Sequence, residues 1–339
     1  MKKLATSILL FIKEELITIL ILVILYFSLQ IPVNYYIITG GGTSNVSSRI
    51  QVEDAYQEKG SFNISYVTEL KGTVITFLLS YVVPHWERES ADLYKYSETE
   101  NMEDIEFRSD LDLKAANATA TYWAYTLANK EINKLSSNIY VIGTFEEFPN
   151  TLKVGDEIIK MGELHYETIE EYKKYLQTQN DEVEVTIIRK GKEQTVKAKL
   201  YDEANQKIMG VGLERVDSYE TKPKVDINFR PTESGPSGGL ITTLEIYNQL
   251  TKEDLTKGYK IAGTGTIELD GTIGAIGGVE HKLLGAEDAD TDYFLVPSGE
   301  NYKEAKKYKK EKKLKIKLIE VKNIKDAILQ LEALEWELD

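Results

Sequence analysis

Leu16–Val33 reads LITILILVILYFSLQIPV, a run that is uncharged and almost wholly apolar, and it constrains this chain more than any other feature. A helix of about 18 residues at about 1.5 Å each spans roughly 27 Å, close to the hydrocarbon thickness of a bilayer. The expectation is a transmembrane anchor over 16–34. Lys2, Lys3 and Lys13 precede it, and no Lys or Arg follows until Arg49. That asymmetry puts the N-terminus, 1–15, in the cytoplasm and the rest of the chain outside the cell membrane. A cleaved signal peptide would have an apolar core of about 7–15 residues followed by small residues at a cut site, which YFSLQIPVNYY lacks. A buried core helix is the other alternative, and the charge asymmetry argues against it.

The 339 residues make two or three domains at about 150 residues each. Lys plus Arg is 41 and Asp plus Glu 55, a net charge of −14. A chain so acidic is a poor candidate for nucleic-acid binding, which needs a basic face for the phosphates. The absence of cysteine excludes disulfides, thiolate metal sites and a cysteine nucleophile. His85, His165 and His281 are the only histidines, and with no H-E-x-x-H among them a zinc hydrolase is not expected. No G-x-x-x-x-G-K-[ST] marks a nucleotide site. The expected chemistry needs no metal, nucleotide or other cofactor.

Beyond the apolar run, TGGGTSNVSS (Thr39–Ser48) has the composition of a linker. SFNISYVTEL (Ser61–Leu70) alternates like a strand, and GTVITFLLSYVV (Gly72–Val83) reads as a packed helix stopped at Pro84, with contact between Thr76–Val83 and a membrane surface as the alternative. Glu98–Glu106 reads as a solvated loop, and Leu111–Asn133 as a second helix. Together 35–137 form a linker and stalk. Nine lysines between Lys303 and Lys317 read as a solvated helix face leading into a strand, LKIKLIEV, whose lysines guard a sheet edge.

From Asn138 short strands surround one helix: NIYVIGTF, LKVGDEIIKM, TIEEYKKYLQTQ as the amphipathic helix, and VEVTIIRKGKEQTVKAKLY as a hairpin turned at Lys190–Lys192. With Leu152, Val154, Gly155, Asp156, Ile158 and Ile159 ahead of that helix, residues 138–205 resemble a PDZ domain of the bacterial protease-appended type. The resemblance implies binding of extended peptides at a sheet edge. No G-L-G-F-like carboxylate loop precedes the first strand, and His165, at the start of the helix segment, reads as a surface residue.

Two glycine-rich stretches carry the chemistry. In VDINFRPTESGPSGGLITTLEIYNQL (Val225–Leu250) a strand-like run enters the loop Ser234–Gly239 and then a helix. Ser237 sits at a loop-to-helix junction, where backbone N–H groups and the helix dipole favour negative charge. Gly235, Gly238 and Gly239 permit close approach of a substrate backbone. An anion site or a structural turn is the alternative for this loop taken alone. In IAGTGTIELDGTIGAIGGVEHKLLGAEDA (Ile261–Ala289) a helix opens after Gly277–Gly278 and places Lys282 in its first turns among Val279, Leu283, Leu284 and Ala286. A helix N-terminus and apolar surroundings both disfavour a charged lysine, as a lysine general base requires.

Taken together the stretches resemble the proteolytic domain of Lon proteases, which use a Ser–Lys dyad. Gly235-Pro236-Ser237-Gly238-Gly239 matches that family's G-P-S-A-G except for Gly238 in place of Ala. Gly277-Gly278-Val279-Glu280-His281-Lys282 matches G-G-x-x-x-K, and Thr264-Gly265-Thr266-Ile267-Glu268-Leu269-Asp270-Gly271 matches T-G-E-I-x-L-x-G except at Thr266. Ser234 stands where the family often has Asp. The resemblance covers 222–339 within a protease domain drawn at 206–339, and implies Ser237 as nucleophile, Lys282 as base and Thr264 as its hydrogen-bonding partner. Gly235, Pro236, Gly238 and Gly239 would form the oxyanion and substrate loop.

With the anchor and the PDZ-like part, the whole chain resembles the membrane-anchored PDZ–Lon-like serine proteases of Gram-positive bacteria. The fold class implied is α+β multidomain: a transmembrane helix, a PDZ-like domain and a Lon-type proteolytic domain. The resemblance implies an ATP-independent endopeptidase outside the cell, acting on secreted peptide pheromones or on small membrane-anchored division inhibitors. Its partners would be peptide or unfolded-protein substrates and the membrane. Two alternatives stand beside it. One is a Ser237–His281–Asp270 hydrolase, for which the sequence leaves too little room. The other is a PDZ-based scaffold with a silent protease fold.

Overall fold

The computed structural model describes Phe11 and residues 13–165 and 167–336. Lys2 and Lys3, used above to orient the anchor, lie outside the described residues, as do most of 1–15. The chain divides into two compact units, Met1–Gly40 with Val67–Tyr94, and Gly41–Tyr66 with Lys95–Asp339.

In the first unit, helix α1 (Leu16–Gln30) has fifteen residues, none buried. It ends at Gln30 rather than Val33: Ile31 is extended, at φ −76° and ψ 112°, and Pro32 opens strand β1 (Pro32–Asn45). The cause is local, since a proline ring disfavours helical geometry at the residue before it and has no N–H to continue the ladder. Among the described residues no helix is long and apolar enough to cross a membrane. β2 (Ile50–Val52) belongs to the second unit, and β3 (Ser61–Thr73) to both. The stretch expected as one packed helix from Gly72 divides instead. β3 runs on to Thr73, whose hydroxyl caps a single short helix, α2 (Val74–Leu79), with no buried residue. Leu78, Leu79, Tyr81 and Val82 are exposed. β4 (Glu87–Ser90) pairs antiparallel with β1, Tyr35 opposite Ser90.

In the second unit a capping box at Asn101 and Asp104 starts helix α3 (Met102–Leu127) well before the expected Leu111. Glu98–Glu106 is therefore not a plain loop, and Glu100 is buried in an ion pair with Arg108 at 2.9 Å. The chain next enters β5 (Glu131–Thr144), followed by β6 (Glu157–Met161), α4 (Ile169–Leu176), β7 (Glu182–Arg189) and β8 (Lys192–Lys199). A small hairpin, β9 (Tyr201–Glu203) and β10 (Gln206–Ile208), leads to β11 (Val211–Lys222). These strands form an antiparallel sheet in the order β11-β5-β6-β7-β8. Its core is Ile139, Val141, Ile158, Met161, Val185 and Ile187, covered by Tyr172 and Leu176 of α4. Because β11 and β5 pair from Val211↔Thr144 to Lys222↔Glu131, this layer reaches beyond the expected 138–205 at both ends. The β7–β8 turn falls at Lys190–Gly191, both at positive φ, as a two-residue hairpin requires.

The remaining chain supplies β12 (Val225–Ile227), which pairs with β2, and helix α5 (Gly239–Leu250). Next come β13 (Lys260–Gly263), the small hairpin β14 (Thr266–Ile267) and β15 (Ile273–Gly274), and helix α6 (Val279–Asp288). It closes with β16 (Tyr293–Pro297), α7 (Glu300–Lys312), β17 (Lys317–Val321) and α8 (Ile324–Glu332). β17, β16, β13 and the Ser61–Ile64 part of β3 lie parallel in that order. α5 is apolar on most faces and is buried, with Leu240, Ile241, Leu244 and Ile246 sharing one core with Ala120, Ala124 and Tyr125 of α3. The lysine-rich segment is helix α7 followed by edge strand β17, as the charge pattern implied.

Thr39–Ser48 is not the expected linker, since β1 continues to Asn45. Its glycines serve packing. A Cβ on Gly41 would strike the His281 carbonyl of α6, and one on Gly42 would stand 2.6 Å from the Tyr66 hydroxyl.

Candidate active site

The two glycine-rich stretches meet. Gly235 takes φ +83°, a backbone state that L side chains avoid, and its N–H donates to the Ser109 carbonyl of α3 at 3.0 Å. Pro236 opens a single 3₁₀ turn, Pro236–Gly238, and Gly239 begins α5, so Ser237 lies at the junction the sequence indicated. The Ser237 carbonyl accepts from Gly265 N–H at 2.8 Å, and Leu240 N–H donates to the Gly265 carbonyl at 3.0 Å. These two bonds clamp the nucleophile turn against the segment that follows β13.

Thr264 caps the C-terminal end of β13 and is wholly buried, its N–H held by the Leu295 carbonyl at 3.1 Å. Its hydroxyl donates to the Ser237 carbonyl at 3.1 Å and accepts from Lys282 Nζ at 3.3 Å. Lys282 lies in the first turn of α6, whose cap Gly278 is left-handed, and is only 4% exposed. Asp270, the acid of the Ser–His–Asp alternative, accepts from Thr272 N–H within its own turn at 2.9 Å. His165, exposed as expected, bonds to the Ile159 carbonyl through Nδ1.

The departures from the motif have local explanations. Gly238 stands where Ala is usual, and a Cβ there would lie 2.9 Å from Ile64 Cδ1, so Ile64 fills that space. At Gly239 a Cβ would meet the Ile267 backbone nitrogen at 3.0 Å, and only glycine fits comfortably. Sequence reading missed the support of the loop. Glu233 accepts from Arg49 Nε at 2.7 Å and from Arg230 N–H at 2.7 Å. Burial pushes the Glu233 carboxyl up, but these bonds outweigh it and hold it below its ordinary range. No sequence signal joins Arg49 to Glu233, which are far apart along the chain. Among the described residues no cluster of His, Asp or Glu could hold a metal ion.

Residues 192–334 match the family described as the Lon protease (S16) C-terminal proteolytic domain. The Lon protease of Aster yellows witches'-broom phytoplasma is 32% identical over 99 residues, which cover 29% of this chain and 12% of that protein. The Clostridioides difficile Lon protease is 31% identical over 129 residues, 34% of this chain and 16% of that protein. That of Trichlorobacter lovleyi is 35% identical over 99 residues, 29% of this chain and 12% of that protein. The chain thus spans only a small part of the curated relatives it matches. Among solved structures, the PDZ domain of the SdrC-like protein from Listeria monocytogenes is 21% identical, covers 22% of this chain and 85% of that chain, and has a TM-score of 0.21. Residues 192–334 of this chain, which contain all three motifs, are thus similar to the proteolytic domain of Lon (S16) proteases.

Proposed function

We propose that this protein is a serine endopeptidase with a Ser237–Lys282 dyad, held at a membrane and acting outside the cell without ATP. The observation that carries the reading is the buried hydrogen-bonded series from Lys282 Nζ through the Thr264 hydroxyl to the Ser237 backbone. Ser237 Oγ attacks the scissile carbonyl. Neutral Lys282 takes the serine proton and returns it to the leaving amine, and Thr264 orients Lys282. Backbone N–H groups of the Gly235–Gly239 turn hold the oxyanion. The sheet β11-β5-β6-β7-β8 with α4 is read as a PDZ-like module that presents extended peptide. Substrates are short or unfolded peptides, with secreted pheromones or membrane-anchored division inhibitors as the physiological classes. Membrane attachment is assigned to α1, whose uncharged residues are all unburied. At about 1.5 Å per residue α1 reaches roughly 22 Å, so neighbouring residues or local bilayer thinning complete the span.

The test is cleavage of casein and a short-peptide library by the full chain in detergent, beside Ser237→Ala and Lys282→Ala. Both variants are expected to lose at least about 1,000-fold in kcat/KM, with EDTA and ATP without effect. Undiminished cleavage by Lys282→Ala would reject the dyad. Cleavage by neither wild type nor variant, with retained peptide binding, would favour the scaffold reading.

A further inference from the structure

A cavity of about 400 Å³ opens beside the nucleophile turn. Pro236, directly before Ser237, forms part of its wall, and Thr266–Leu269, just after Thr264, forms another part. Its volume falls in the range of sites that bury a ligand group, about 300–1,000 Å³. Its lining is strongly acidic. Asp112 comes from α3, Glu214 from β11 and Glu268 from the β14–β15 turn, three elements distant in sequence. The basic side chain in the wall, Arg215, is matched by Asp217 at 3.2 Å. Among the described residues neither Asp112, Glu214 nor Glu268 takes part in an ion pair.

The electrostatics agree with the geometry. Burial pushes the Glu214 carboxyl up, and the charges of Asp112 and Glu268 push it further, against the pull of Arg215. Burial raises Asp112 as well, against the pull of Arg108. Three carboxylates thus share a concave site whose basic wall residue, Arg215, is itself paired with Asp217. Among the described residues no three acidic or imidazole groups are placed to hold one metal ion together. A cation on a long flexible stem suits it, since it reaches the carboxylates one at a time while its stem covers the apolar wall.

We propose that this cavity receives a lysine or arginine side chain of the substrate, next to the scissile bond, and that Asp112, Glu214 and Glu268 select for it. The inference rests on the peptidase reading, because it is Ser237 that places a peptide chain at the cavity mouth.

Its test separates the two. Full-chain Ser237→Ala is titrated with fluorescent peptides that differ only in a central Lys, Gln or Glu. The Lys peptide is expected to bind about tenfold tighter than the Glu peptide, a preference that shrinks with salt. Adding Glu214→Gln and Glu268→Gln together, or the exposed Glu268→Gln alone, should bring the ratio towards unity. Removing the same charge at the exposed Glu253 and Glu332, outside the cavity wall, should leave the ratio intact, which excludes attraction by the net charge of the chain. No binding of the Lys peptide, no preference for it, or a preference insensitive to the Glu214 and Glu268 substitutions would overturn the proposal. In parallel, active enzyme should cut library peptides near a Lys or Arg. If it cuts nothing, the peptidase reading fails while the binding ratios still decide the cavity.

Discussion

Thr264 shows how one buried hydroxyl can hold two catalytic stretches in register. It donates to the carbonyl of Ser237 and accepts from Lys282 Nζ, so it fixes the lysine relative to the Pro236–Gly238 turn. Thr264→Val keeps the shape and removes both bonds, and is expected to lower kcat by about 10- to 100-fold with little change in KM. Thr264→Ser keeps the hydroxyl and should restore most of that rate. If valine and serine behave alike, the hydroxyl has no positioning role. This residue was legible only through the resemblance of Thr264–Gly271 to the family motif. Ile64 was not legible. Its fit against Gly238 depends on β3 lying next to β13, which no spacing in the sequence announces.

Among the elements, α5 combines a readable start with an unreadable interior. The Gly-Pro-Ser-Gly-Gly run marks its beginning, since only glycine suits φ +83° and a proline suits the first turn. Its burial on nearly all faces brings Glu245 into the core, where Oε1 accepts from Gln249 Nε2 at 2.6 Å and Oε2 has no hydrogen-bond partner among the described residues. Burial, and then the charge of nearby Glu58, push this carboxyl from 4.5 up to about 8, against the Gln249 bond, with Asp254 adding to the rise. The folded state therefore keeps a proton that the unfolded chain releases at its ordinary value. Stability is full below that value and declines as pH rises towards 8. Glu245→Gln supplies a neutral side chain of the same shape, and should flatten this decline and raise stability at pH 7 by roughly 2–4 kcal/mol. Denaturant unfolding at pH 5.5 and 8 checks it, and equal pH slopes in both proteins would reject it. Elsewhere periodicity gave the right element with wrong limits. Asn101–Asp104 capping begins α3 early, and Pro32 ends α1 early, because a cap or a proline two residues away overrides the hydrophobic pattern.

For the whole molecule the membrane assignment is the feature with the widest consequences. Its support is composition and the complete lack of burial along α1, while its length falls short of a full span. Full-length protein is expected to stay with membranes through an alkaline carbonate wash, and deletion of 1–30 to release it. Extraction of the full-length protein by carbonate would reject attachment by a spanning segment. The same scale accounts for the cavity. Strand β11 belongs to the five-stranded antiparallel sheet, α3 to the region expected as stalk, and the β14–β15 turn to the segment after β13, yet all three contribute its carboxylates.

The sequence by itself carried the proposed acting groups: the serine at a loop-to-helix junction and the lysine after a glycine pair, with the threonine marked by the resemblance of its motif. The serine and lysine positions are local devices, set by backbone geometry within a few residues, so a linear reading finds them. Tertiary structure alone decided what surrounds them. Arg49 steadies Glu233, the Gly41–Gly42 stretch is a close-packed strand and not a linker, and Asp112, Glu214 and Glu268 converge beside Pro236. Each of these depends on pairing between segments remote in the chain, and hydrophobic period or residue spacing carries no record of which remote segments will pair.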